Sequence, residues 1–135
     1  MKPKAGLLIA LLLLALIGGV ARPAKPRAAI ESTAAETRCG WFSNPTPANI
    51  SLYDRDGEWI IGVQGGYQVP GDWPWPDFKK GQWVKTNGEH GYGCACLTLR
   101  VNKQTREVLE ISSARPRPLA QCRKDAVLKK WSRVL

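Results

Sequence analysis

The chain has 135 residues, 44% of them hydrophobic, with 20 Lys+Arg against 11 Asp+Glu and a net charge of +9. That length fits one folded domain rather than several, and the hydrophobic fraction excludes a wholly disordered chain. A single histidine, His90, is the only imidazole open to acid–base or metal chemistry.

The chain opens on a basic "MKPK" followed by the uncharged run "AGLLIALLLLALIGGVA", Ala5 to Ala21. At about 17 residues the run is short for a membrane span and long enough for an export signal, and small residues at Gly19 and Ala21 suit cleavage after Ala21. The sequence therefore predicts a signal peptide over 1–21 and a periplasmic or secreted domain, with an uncleaved anchor as the alternative. Residues 22–38, "RPAKPRAAIESTAAETR", are rich in Pro and Ala, and Ile30 is their one sizeable apolar side chain. Such a composition buries too little surface to offset the entropy of ordering, so it reads as a flexible linker. The domain is then 39–135, packed from Cys39 to about Trp131.

Cys39 opens this domain and Cys122 lies near its end, while Cys94 and Cys96 sit in the extended run "CACLTLRV". Cys94 and Cys96 should share one face of a strand, with Cα atoms about 6.5–7 Å apart and parallel side-chain vectors, a poor geometry for a direct bond. The expectation is two structural disulfides that tie Cys39 to one of them and Cys122 to the other, as in small exported domains. A zinc set of His90, Cys94 and Cys96 with a third thiolate is the competing reading.

Two hairpins follow from the pattern. "ISLY" and "EWIIGV" flank the turn formers of "DRDG", and "CLTLRV" and "EVLEISS" flank "NKQT". "CRKDAVLKKW" suggests one short terminal helix, with Asp125 early and Lys129 and Lys130 late. The fold class expected is mainly β: a small antiparallel β-sheet or partly closed barrel, disulfide-linked, with a short C-terminal helix.

Four stretches, "CGWFSNPTPANISLYDRDGEW", "GVQGG", "QWVKTNGEHGYGCACL" and "PRPLAQCRKD", together resemble the bacterial domain-of-unknown-function family 4087. The resemblance covers nearly all of Cys39 to Trp131. It implies a small exported domain, mostly of Gram-negative bacteria, with no assigned activity and no catalytic residue to carry over.

Catalysis has little support in the residues. His90 lies in the Gly-rich "NGEHGYG", where an exposed loop position is expected. Asp54, Asp56 and Glu58 cluster in a turn, where aspartates usually cap backbone amides. No phosphate loop, dinucleotide fingerprint or metalloprotease helix occurs. The expectation is a non-enzyme without cofactor or metal.

Binding has two handles. Trp73, Trp75, Phe78 and Trp83 fall close together, interleaved with Pro74 and Pro76, which stiffen a loop. Their rings either cap the core or face a sugar or an apolar partner. Charge is the second handle. Residues 22–135 keep 18 of the 20 Lys+Arg, since Lys2 and Lys4 precede them, against 11 Asp+Glu, a net of +7. Arg115, Arg117, Arg123, Lys124, Lys129, Lys130 and Arg133 crowd the end of the chain. The candidate ligand-binding set is therefore Trp73, Trp75, Trp83, Arg115, Arg117, Arg123 and Lys124. Its expected partner is an anionic envelope component, a glycan or an acidic protein, bound by a monomer with peripheral membrane contact allowed. Nucleic acid fits the charge and not the compartment. The alternatives are a small inhibitor that plugs the acidic cleft of an envelope hydrolase, and a metal-handling protein built on His90, Cys94 and Cys96.

Overall fold

A computed structural model describes residues 34–135. The apolar run read as a signal peptide and the linker as far as residue 33 lie outside the described residues. Six strands form: β1 (Glu36–Thr46), β2 (Asn49–Tyr53), β3 (Glu58–Gly62), β4 (Trp83–Asn87), β5 (His90–Val101) and β6 (Val108–Arg117). β1 thus begins three residues before Cys39. Glu36, Thr37 and Arg38, which composition assigns to the linker, pair with Leu99, Thr98 and Leu97 of β5.

All strand pairs are antiparallel and the sheet is open, in the order β3–β2–β1–β5. β5 is long enough to take two partners along its remaining edge. Gly91 to Gly93 pair with β4, and Cys94 to Val101 pair with β6. The sheet curls so that its two ends meet at the Ile60–Glu107 bridge, where Ile60 N–H donates to Arg106 O at 2.8 Å. Of the two architectures the sequence allows, this is the open sheet, with its ends touching rather than closed.

Alternation along the strands sorts side chains onto two faces. On one, Phe42, Leu52, Trp59, Ile61, Leu97, Leu99, Val101 and Val108 form the main core, and Trp73, Phe78 and Trp83 pack against it. Each fully buried side chain of this size contributes roughly 1.5–3 kcal/mol. On the other face, Trp41 and Cys94 join Cys122 and Leu128 in a second cluster, flanked by Tyr53, Tyr92, Leu119 and Trp131. β1 is covered on both sides, which explains its unbroken buried stretch from Gly40 to Asn44.

The Cys122–Trp131 segment departs from the single helix expected. A six-residue helix α1 (Leu119–Lys124) ends at Asp125, and a 3-10 helix follows over Leu128–Arg133. Asp125 takes an extended backbone (φ −73°, ψ 110°). Its carboxylate accepts the Val127 N–H at 3.0 Å and holds Arg55 Nη2 at 2.8 Å. An aspartate that bonds its neighbouring backbone in this way competes with the helical ladder. Trp131, half-buried, turns inward, donating its indole N–H to Asp54 O at 2.9 Å beside Tyr53.

Gly93 is opposite both Phe42 and Trp83, and the ring of Phe78 occupies the space where its side chain would be. Gly93→Ala should therefore cost about 1–3 kcal/mol by overpacking. Thermal unfolding followed by near-UV circular dichroism measures this, and an unchanged midpoint would show that the Phe78 ring moves aside freely.

Candidate functional site

Two clefts hold the chemistry-bearing side chains. The first, of about 520 Å³, lies where β1 and β5 meet the C-terminal helical segment. Both disulfides line it: Cys39–Cys96 and Cys94–Cys122. The pairing follows from register. Cys39 is directly opposite Cys96, whereas Cys94 faces Trp41 and reaches Cys122 across the second cluster.

The cleft's charges are largely satisfied internally. Arg38 is the hub, bonding Asp54 at 2.6 Å, Asp56 at 2.7 Å and Glu36 at 2.9 Å, with its guanidinium 4.2 Å from the centre of the Trp59 ring. Burial works against the Arg38 charge, but hydrogen bonds to Asp56, Asp54 and Glu36 outweigh it and hold the guanidinium above its ordinary value. The Arg38 hydrogen bond holds the Asp56 carboxyl below the usual carboxylate range, and Arg55 does the same for Asp125. Asp54 also accepts the backbone N–H groups of Asp56 and Gly57 and the buried Trp59 indole N–H at 2.9 Å. Asp54 thus caps the turn, as its sequence context suggests, while Asp56 binds Arg38, and Gly57 takes the positive φ of 137° that the turn requires. Arg106 closes the network from the β5–β6 turn, lying 3.7 Å from the Trp59 ring centre and donating to Asp56 O and Glu58 O.

The second cleft, of about 540 Å³, is aromatic and lined by Trp75, Phe78, Trp83 and Lys85 among others. Trp73 and Trp75 are stacked, 5.4 Å between ring centres at 30°, and both lean on Phe42. Phe78 and Trp83 pack 4.9 Å apart beside them. Trp73 and Trp83 are half-buried and serve the core, while Trp75 is 45% exposed. Lys79 pairs with Asp77, and Lys85 with Glu89 at 2.7 Å. Lys80, also on the rim, makes no ion pair among the described residues.

The candidate residues therefore separate. Trp83 is opposite Gly93, on the main-core face. Arg115 and Arg117 are opposite Cys96 and Cys94, on the other face. Arg117 lines the first cleft and donates to Gln121 at 2.8 Å, and Arg123 and Lys124 are exposed on α1. Aromatic and basic residues do not converge on one surface.

His90 is not on an exposed loop. The Gly88–Glu89 turn reverses the chain just before it, so His90 is the first residue of β5, half-buried, with Nδ1 2.8 Å from Asn44 Oδ1. The metal reading loses its donors, because Cys94 and Cys96 are both in disulfides and no cysteine is free. Sequence reasoning missed Arg38, which sat in the presumed linker, and Lys80, which no pattern singles out.

No curated protein and no solved structure matches the chain. A family model described as "Protein of unknown function (DUF4087)" matches residues 33–129. The match covers most of the chain and the whole of the sheet, and the protein belongs to that family.

Proposed function

We propose that the protein is an exported, non-catalytic binding domain for an anionic, glycan-like ligand of the cell envelope, and that the aromatic cleft beside β4 is its site. The observation that carries this reading is Trp75, 45% exposed and backed by the stacked Trp73 ring. An indole held rigid from behind presents a flat face to a sugar ring at little entropic cost. Lys80 on the same rim supplies a charge for a carboxylate or phosphate substituent. Export is supported by the leader-like "MKPK…ARP" opening and by two disulfides, bonds that persist in oxidising compartments. A non-catalytic role is supported by the carboxylates of the other cleft, which are bound to Arg38 and Arg55.

Tryptophan fluorescence, titrated with polygalacturonate as an anionic glycan and dextran as a neutral one, tests the reading. Saturable change is expected with polygalacturonate alone, weakening as salt rises. Trp75→Ala should weaken binding about tenfold, the equivalent of roughly 1.4 kcal/mol of ring stacking, with circular dichroism unchanged. Binding that survives Trp75→Ala, or is lost instead on neutralising Arg123 and Lys124, would remove the site from this cleft.

A further inference from the structure

The two disulfides share a cleft but not an environment. Cys94 and Cys122 are 3% and 2% exposed, packed against Trp41 and Leu128. Cys39 is exposed and Cys96 half-buried. Cys39 and Cys96 are moreover directly opposite residues on β1 and β5, strands already held by pairing from Glu36 to Asn44. Opening that bond leaves the ladder in place. Opening Cys94–Cys122 would release the C-terminal helical segment from the second cluster.

The basic residues that the charge pattern marks out take on a specific place here. Arg115 is opposite Cys96 on β6, and Arg117 opposite Cys94. Both share the sulfur face of the sheet, with about 5 Å expected between cross-strand Cβ atoms. Neither makes an ion pair among the described residues. The carboxylates that line the cleft, Glu36, Asp54, Asp56 and Asp125, are already bound by Arg38 or Arg55.

We infer that Cys39–Cys96 is a thiol–disulfide exchange site for a small-molecule thiol entering this cleft, and that Cys94–Cys122 is the permanent bond. The thiolate of the incoming molecule attacks the exposed Cys39 sulfur. The Cys39–Cys96 bond breaks, a mixed disulfide forms on Cys39, and Cys96 leaves as a thiolate facing Arg115. A second thiolate attacks the outer sulfur of the mixed disulfide, giving the small-molecule disulfide and a Cys39 thiolate. The two protons lost by the incoming thiols go to Cys39 and Cys96, so two electrons pass from the small thiols to the protein bond. A direct Cys94–Cys96 bond is disfavoured, because the two stand two residues apart on one extended strand with parallel side chains. The inference is independent of the glycan reading, which concerns the other cleft.

Graded exposure of the native protein to dithiothreitol, quenched with iodoacetamide and mapped by peptide mass, tests it. The first species should carry label on Cys39 and Cys96 alone, with native far-UV circular dichroism. It should form about tenfold or more faster than label enters Cys94 and Cys122, whose sulfurs become accessible only on local unfolding. Cys39→Ser/Cys96→Ser should fold and retain Cys94–Cys122. In the partly reduced protein, Arg115→Gln should raise the midpoint pH of Cys96 alkylation by about half a pH unit, as for one exposed charge about 6 Å away in water. Simultaneous labelling of all four cysteines, earlier labelling of Cys94 and Cys122, an unfolded double variant, or an Arg115→Gln midpoint equal to wild type would each overturn the assignment.

Discussion

Replacing Asp54 with alanine should destabilise the domain by about 3–5 kcal/mol, the range for removing one partner of a buried ion pair. The Asp54 side chain is 6% exposed and that of Arg38 only 10%. Without the carboxylate, Arg38 loses its most buried counterion, the Trp59 indole N–H loses its acceptor, and the β2–β3 turn loses the cap on the N–H groups of Asp56 and Gly57. Asp54→Asn should recover part of this loss, because its side-chain oxygen can still accept from the turn. Asp56→Ala is the matched control. It removes a carboxylate from the same guanidinium, but one 66% exposed, so its cost should be within about 1 kcal/mol. Urea unfolding of the three variants measures the differences. Equal midpoints for Asp54→Ala and Asp56→Ala would mean that the network contributes nothing beyond a surface pair.

Phe42→Ala should cost a similar 3–5 kcal/mol, and for a different reason. Phe42 is fully buried and is the one ring that touches Trp73, Trp75, Phe78 and Trp83. Its loss opens a cavity at the junction between the main core and the aromatic cleft. The signature should be double: a lower unfolding midpoint in urea, and loss of tryptophan near-UV ellipticity even in the folded protein, because the stacked Trp73–Trp75 pair loses its support. A destabilised protein with an unaltered near-UV spectrum would show that the Trp-rich loop holds its shape without Phe42.

The parts of this fold that are local in sequence are the parts that can be read from it. The β2–β3 and β5–β6 hairpins each join apolar alternation to a turn, written in Asp and Gly in the first and opened by Asn102 in the second. The separate partners of Cys94 and Cys96 follow from strand geometry alone. Which of them takes Cys39 does not, since that depends on the register of β1 against a strand more than fifty residues away. β1 itself is obscured because it is covered on both faces, so it lacks alternation, and Gly40 and Pro45 read as breaks. The structure accommodates Pro45 where the β1–β2 register shifts, between Ser43 and Thr46. β4 has only Trp83 and Val84 as apolar residues and is strand because β5 offers it an edge. The candidate site suffers from the same limit. Composition identifies the tryptophans and the arginines, but only the pairing of Trp83 with Gly93 and of Arg117 with Cys94 shows that they occupy opposite faces.

The sheet is a three-stranded meander joined along one line to a strand that carries two hairpin partners. β1–β2–β3 pair in sequence order, β4 and β6 pair as hairpins along one edge of β5, and β1 against the other edge of β5 is the seam. Each half can assemble from short-range encounters, whereas the seam must bring together residues as far apart as Cys39 and Cys96, 57 positions in sequence. Closing that long loop comes before any reward from pairing, so the seam should be the slowest contact to form. A chain in which Cys39 and Cys96 are already bonded begins with its two halves tethered at the seam, and a reduced chain has to find it by diffusion. The exposed bond should thus shorten the search by which the domain reaches its fold.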